Sequence, residues 1–315
     1  MHLRRTFLLF ILLTVYGMAQ AQQEPQFSHN MFNNMAINPG LAGLRNAICA
    51  TGLARQQWVG FRDLEGNRVN PETYSMNVDA PIPLIRGGLA LGFLQDQLGP
   101  ENNVGVNLSY AYHMNMSMGR LGIGARIGFL DKQIDFGSLN PLDPDPILTG
   151  GQENHIFVDF SLGAFYMLDD ELWAGLSVAQ LRQARGPIGE SQYGLRRHIY
   201  ATGGYNLTWP SNSSYELSPS VLLKTDLASM QIDINTIVTY NKRFWGGVSY
   251  RPQDAFVVML GVSLDQISIG YAYDITTSPL GSLGRSYGSH EIFIQYCFEL
   301  DIDKISEIQR NIRFL

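Results

Sequence analysis

Strict period-two alternation, with small residues on the second face, is the feature that most limits what this chain can fold into. From Val104 to Tyr112, Val104, Val106, Leu108, Tyr110 and Tyr112 share one face and oppose Gly105, Asn107, Ser109 and Ala111. Leu121 to Phe129 repeats the pattern, with Leu121, Ile123, Ala125, Ile127 and Phe129 against Gly122, Gly124, Arg126 and Gly128. Near the end, Ile292, Ile294, Tyr296 and Phe298 oppose Glu291, Phe293, Gln295 and Cys297. Alternation at this period marks β-strands buried on one side. In a soluble sandwich the second face carries Lys, Glu and Thr toward water. Here it is largely Gly, Ser, Ala and Asn, which suits a crowded barrel interior, while Tyr at strand ends suits the interfacial girdles of a barrel in lipid.

Composition agrees. Apolar residues reach 45% but charged residues only 16%, well under the quarter usual in soluble domains. Mean hydropathy is -0.05, as expected when lipid-facing and lumen-facing residues alternate. No segment after residue 21 is apolar for long enough to make a transmembrane helix. A net charge of -6 without long runs gives no basic footprint for nucleic acid.

The alternation predicts about 14 strands, an even number as closed bacterial barrels require. They lie near 47–61, 72–80, 87–94, 103–112, 121–130, 156–165, 171–180, 198–207, 215–223, 230–240, 244–250, 256–263, 267–274 and 289–298. Connections alternate in length. Residues 62–72, 95–102, 131–155, 181–197 and 275–288 form a long set, against the short turns at Pro81, Leu168, Asn241 and Asp265. Outer-membrane barrels have short periplasmic turns and longer outside loops, so both chain ends are expected in the periplasm.

The ends carry their own signals. Arg4 and Arg5 precede an apolar run from Phe7 to Tyr16, and Ala19-Gln20-Ala21 follows. This reads as a secretory signal peptide over 1–21, cut before Gln22 and leaving about 290 residues for one large domain. Next come an N-terminal arm (22–46), the barrel (47–298) and a periplasmic tail (299–315). The arm lacks either periodicity. Its Phe27, Met31, Phe32, Met35 and Ile37 argue against free solvation, because disordered segments are poor in such groups. A plug in the lumen or a contact near the periplasmic mouth is therefore expected. In the tail, Ile302, Ile305, Ile308 and Ile312 recur at roughly helical spacing.

The arm's "PQFSHNMFNNMAINPGLAG" resembles the N-terminal signature of the PorP/SprF family, with its Pro-Gln-aromatic-Ser, Met-Phe-Asn and Asn-Pro-x-x-Ala-Gly elements. "RQQWVGF" from Arg55, "YAYHM" from Tyr110, "GYAYD" from Gly270, "HEIFIQY" from His290 and the closing "RNIRFL" from Arg310 are similar to further family blocks. One departure is Asn38-Pro39-Gly40-Leu41-Ala42-Gly43, where members often carry Asn-Pro-Ala-Tyr-Ala-Gly. The resemblance implies a non-enzymatic outer-membrane barrel of type IX secretion and gliding. Such barrels bind a secreted adhesin with a C-terminal sorting domain, or work beside periplasmic ring lipoproteins and a peptidoglycan-binding protein. It directs attention to Phe27, Met31, Phe32, Asn38 and Pro39 in the arm, and to Arg310, Arg313, Phe314 and Leu315 in the tail, as plug or partner contacts.

Other constellations give little chemistry. Asp143 and Asp145 in the 131–155 connection lack the spacing of a calcium loop, so an outside loop stiffened by Pro is expected. His113, His155, His198 and His290 fall on different hairpins, without a nucleophile elbow or a metal spacing; neither cofactor nor metal is expected. Arg126, Asp159, Asp233 and Glu291 face the lumen, where they line water or join a plugged, salt-bridged interior; the second arrangement is expected. Cys49 and Cys297 lie near the ends of the first and last strands, and free thiols are expected because directly opposed strand positions rarely suit a bridge. The rival functions are a porin or hydrophobic-substrate channel and, more remotely, a barrel hydrolase.

Overall fold

The structure, a computed structural model, describes residues 24–63, 65–139, 150–168, 171–209 and 214–300. The strands in chain order are β1 (Ala47–Gln56), β2 (Glu72–Ile82), β3 (Gly87–Leu98), β4 (Glu101–Asn115), β5 (Arg120–Asp135), β6 (Gln152–Leu168), β7 (Leu172–Ala179), β8 (Arg185–Ile188), β9 (Ser191–Gly194), β10 (His198–Tyr205), β11 (Leu207–Thr208), β12 (Tyr215–Thr225), β13 (Met230–Tyr240), β14 (Phe244–Arg251), β15 (Ala255–Leu264), β16 (Ile267–Thr276) and β17 (Ser289–Glu299). Antiparallel neighbours run from β1 to β7, then β10, then β12 to β17, and β17 pairs back onto β1. This is a closed barrel of 14 strands. β8 and β9 make a separate hairpin inside the 180–197 connection.

The two faces follow the sequence pattern. Outward Leu108, Ile123, Leu162, Leu176, Leu260 and Ile292 are each at least half exposed, whereas their inward neighbours Ser109, Gly124, Ser161, Ser177, Met259 and Glu291 are buried. An apolar belt this continuous needs lipid around it. Among the described residues no helix is long and apolar enough to cross a membrane. Tyrosines mark one boundary of the belt: the hydroxyls of outward Tyr110 and Tyr296 donate to the Ile85 carbonyl (3.0 Å) and the Gln266 amide oxygen (2.9 Å), and that of Tyr166 donates to the Met118 carbonyl. Each ring stays apolar-side while its hydroxyl holds a turn.

The turns after β2, β4, β6, β13 and β15 are short and share one rim, where β1 begins and β17 ends. The other rim carries 57–71, 136–151, 180–197 and 277–288. Several strands outrun the sequence expectation. β3 and β4 meet across residues 99–100 alone, so the long connection expected at 95–102 is instead a tight turn on paired strands. β4, β5 and β6 reach 15, 16 and 17 residues. The outer parts of β3 and β4, "LQDQL" and "ENN", are rich in polar residues and carry too little alternation to read. β1 ends at Gln56, five residues short of the expected Phe61, and the chain turns aside through left-handed conformations at Trp58 (φ +50°) and Gly60 (φ +91°).

The seam is bonded along its whole inner face. The inward register pairs between β1 and β17 are Cys49–Cys297, Thr51–Gln295, Leu53–Phe293 and Arg55–Glu291. Gln295 donates to the Thr51 hydroxyl at 2.9 Å, and Arg55 meets Glu291 at 3.1 Å. Cys49 and Cys297 form a disulfide, which corrects the expectation of free thiols. The Cys297 N–H bonds the Gln266 carbonyl on its other side, so toward β1 the pair is of the non-hydrogen-bonded kind. There opposed side chains come closest, and the Cα atoms are 4.1 Å apart. Replacing both cysteines by Ser is expected to cost about 2–4 kcal/mol through the loosened unfolded chain, read as a lower urea midpoint in lipid vesicles with and without reductant.

Candidate functional site

The lumen is filled by the chain's own arm. A 3-10 turn (Asn30–Phe32), one turn of α-helix (Asn34–Ile37) and a second 3-10 turn (Pro39–Leu41) succeed one another. The Asn38 side chain accepts from the Gly40 N–H, and Pro39 follows at the first helical position, the local chemistry that starts such a turn. A segment packed on every side needs no periodicity, which accounts for its irregular sequence.

Asparagine recurs because a buried amide both donates and accepts. Asn30 Nδ2 donates to Asp233 (3.1 Å), and Asn30 Oδ1 accepts from Asn235 (3.1 Å). Asn77 donates to Asn33 (3.1 Å), and Asn38 Nδ2 donates to the carbonyls of Ala164 (3.0 Å) and Leu176 (3.3 Å). Arg126 gives both terminal nitrogens to the Met35 and Ala36 carbonyls, and Ser177 donates to that of Ile37. The anchors thus come from strands all around the barrel.

Phe27, Met31 and Phe32 pack against a cluster that includes Trp245, Met259 and Phe293. The Phe32 ring lies 4.8 Å from that of Phe293 and 5.0 Å from that of Trp245. Further down, Met35, Leu41, Ala42 and Leu44 form a second cluster with Phe165. At Gly122 and Gly124 the arm's backbone touches the wall's: an added methyl group would meet the Gly40 and Pro39 carbonyls. Gly124→Ala is therefore expected to cost roughly 1–3 kcal/mol, whereas Gly151→Ala, which meets nothing within 4 Å, leaves the urea midpoint unchanged.

Beside Ser28 and His29 lies a buried ionic network. Arg55 bonds Asp274 (2.8 Å) and Glu291 (3.1 Å); Arg251 bonds Asp233 (3.1 Å), Asp254 (3.1 Å) and Asp274 (3.4 Å). The arm completes it. The Ser28 N–H donates to Glu291 and its hydroxyl to Asp274, while Arg55 donates to that same hydroxyl; His29 meets Glu291 through both its N–H and Nδ1, each at 2.7 Å. Carboxylates in a dry interior require such partners. Ser28 and His29 bind residues on both sides of the seam, so seating the arm and closing the barrel favour each other.

The lumen-facing charges singled out from sequence separate into two kinds. Asp233 and Glu291 join this network; Arg126 binds arm carbonyls, and Asp159 pairs with no cation among the described residues. Arg55, Arg251 and Asp274 complete the network without having stood out in the sequence. His29 Nε2 is buried without a partner, and its ring lies among those of Phe32, Trp245 and Phe293, so no hydroxyl bonds that nitrogen. His113 bonds the Ala42 carbonyl and His198 bonds Gln180. Among the described residues, no group of three or more His, Cys, Asp or Glu could hold a metal. Asp143, Asp145 and the tail residues Arg310, Arg313, Phe314 and Leu315 lie outside the described residues, as does the leader.

The arm crosses the barrel from rim to rim. Asn46 follows it at the short-turn rim, where its carbonyl accepts from Leu300. At the other end, Glu24 bonds the Gln180 amide and its carbonyl accepts from Lys224 at 2.7 Å, both at the long-loop rim. Among the described residues, Glu24 and Leu300 thus lie at opposite rims; the chain ends themselves lie outside the described residues. Above the arm, the β8–β9 hairpin packs Ile188 and Leu195 onto Phe136 and Phe157 of the tall β5–β6 wall. Lys132 lies 4.4 Å from the Tyr193 ring centre, and burial pushes the Tyr193 phenol up to about 12.

The sequence matches the family model described as type IX secretion system membrane protein PorP/SprF over residues 19–296. Among curated proteins no sequence matches the chain. Among solved structures the chain is similar to the outer-membrane protein Omp33 of Acinetobacter baumannii, at 8% identity and TM-score 0.43 over 81% of this chain and 98% of that one. It is similar also to the CymD monoaromatic hydrocarbon channel, at 10% identity and TM-score 0.45 over 85% and 92% of the two chains. A third is the translocator domain of autotransporter NalP from Neisseria meningitidis, at 13% identity and TM-score 0.42 over 86% and 96%.

Proposed function

The chain belongs to the PorP/SprF family of type IX secretion system membrane proteins, and from that premise we propose that it acts as a closed binding barrel in the outer membrane, neither a pore nor an enzyme. The occupied lumen carries this reading. A diffusion channel needs a continuous water path, whereas here the arm seats fully buried Ser28, His29 and Asn38 against the wall from one rim to the other. Binding then falls to the rims. The long connections face the cell surface and the short turns the periplasm, with the tail emerging beside those turns.

The partner is a secreted surface protein carrying a C-terminal sorting domain, held at the membrane by this barrel. Periplasmic ring lipoproteins with a peptidoglycan-binding protein are the second partner class, served by the tail through Arg310, Arg313, Phe314 and Leu315. A tagged, detergent-solubilised protein is to be recovered from its own membranes and its companions identified by mass spectrometry. A large surface protein with a sorting domain supports anchoring, and ring lipoproteins place the barrel within the secretion machine. Recovery of the barrel alone, together with steady conductance in a planar bilayer, would replace this reading by a porin.

A further inference from the structure

At the long-loop rim, Lys132 of β5 and Asn103 of β4 are direct partners across the ladder, and Glu101 stands two residues before Asn103 on the same inner face. Lys132 is only 2% exposed. Leu130 and Ile134 flank it on its own strand, and its Nζ lies under the Tyr193 ring of the β8–β9 hairpin. That Nζ donates to the Glu101 carboxylate and stands 3.4 Å from Asn103 Oδ1. Asn103 Nδ2 in turn donates to Glu101 Oε1 at 2.8 Å. A buried primary amine, a side-chain amide and a carboxylate bonded to both are thus gathered at one point, beneath an apolar cover. The sequence reading passed over all three, because each looked like a polar residue in an outer strand end.

We propose that Lys132 and Asn103 join in an isopeptide bond, formed once by the folded chain itself. Glu101 takes a proton from the Lys132 ammonium, which trades two buried charges for two neutral groups. The free Nζ attacks Asn103 Cγ, one carbonyl bond beyond the oxygen it already approaches, and a C–N bond forms. Glu101 gives its proton to Nδ2 and takes a second from Nζ. The Cγ–Nδ2 bond breaks as the carbonyl re-forms, and ammonia leaves, collecting the last proton as ammonium. No oxidant or reductant takes part. Paired strands hold the reacting groups together, the condition under which such a step needs no outside catalyst. The bond staples β4 to β5 beneath the β8–β9 hairpin. The inference does not draw on the choice of partner above, and its test uses the protein alone.

The chain is prepared unfolded in urea and refolded into detergent, with Gly-Ser ahead of Gln22, because a free N-terminal Gln can itself shed ammonia. The shift in gel mobility on heating confirms a folded barrel for this chain and for each variant. After reduction of the disulfide, mass spectrometry is expected to find the refolded protein lighter than the unfolded sample by one ammonia. Trypsin no longer cuts after Lys132, and residues 87–120 appear joined to 127–182 in one branched peptide. Lys132→Arg and Asn103→Ala keep their full mass, and Glu101→Gln forms the bond at least about a hundredfold more slowly, as loss of a general acid–base group requires. Refolded unaltered protein of full mass, cut by trypsin after Lys132, overturns the proposal and leaves the three groups as an ion pair beside an amide. So does loss of ammonia from folded Asn103→Ala, or bond formation by Glu101→Gln at the unaltered rate.

Discussion

Protein lacking residues 24–43 conducts ions steadily across a planar bilayer, whereas the full-length protein does not. The arm's removal uncovers a lumen whose wall carries Arg55, Asp79, Arg126, Asp233, Arg251, Asp274 and Glu291. Without Ser28, His29 and Asn30 those charges need water, and a barrel of 14 strands is wide enough to admit it, lying between 8-stranded barrels filled by side chains and the water-filled porins. The strand ladder itself is unbroken from β1 round to β17. The truncated protein therefore still folds and keeps its heat-dependent gel mobility. Silence from a truncated barrel that passes this folding check would mean that something besides the arm closes the lumen.

Arg251→Ala is expected to cost about 3–5 kcal/mol, the range for removing one partner from a buried ionic cluster. Arg251 is fully buried and bridges three carboxylates, of which Asp233 and Asp274 are buried as well. Its loss leaves those carboxylates crowded, with Arg55 as the remaining guanidinium beside Asp274. Arg196→Ala serves as the control. Arg196 is 46% exposed and stands 3.6 Å from Asp226, a geometry worth at most about 1 kcal/mol. Urea unfolding in lipid vesicles separates the two, and equal midpoints for both variants would show that the network contributes little to stability.

How much was legible in the sequence depends on how local each feature is. Strand faces are local. Ile292, Ile294, Tyr296 and Phe298 against Glu291, Phe293, Gln295 and Cys297 read correctly because lipid and lumen impose opposite demands on neighbouring residues. The number of barrel strands followed from the same pattern. Strand ends beyond the bilayer did not, since polar residues such as Gln97 and Asn102 take the place of the apolar face and no clear alternation survives there. The β8–β9 hairpin, with Pro187 and three glycines at 186, 189 and 194, looked like an ordinary loop.

Pairings across the closed barrel are the least local. Cys49 and Cys297 are 248 residues apart, and whether they oppose each other depends on a register set by every strand between. Arg55, Arg251 and Asp274 each looked like a single charge in a strand. The arm supplies the contact that brings them to account, and its Phe27, Met31 and Phe32 signalled burial without saying where. An apolar, asparagine-rich segment with no periodicity, placed ahead of a barrel, is the signal that points to a lumenal plug.

The central claim is that the arm lies inside the barrel in the native membrane. Photocrosslinking from benzoylphenylalanine in place of Phe32 tests it most directly, because that ring sits between Trp245 and Phe293. Irradiation of intact outer membranes is expected to give an intramolecular adduct, mapped by mass spectrometry to the peptides holding Trp245 or Phe293. Adducts to another protein or to lipid, with none inside the chain, would place the arm outside the lumen and contradict the account.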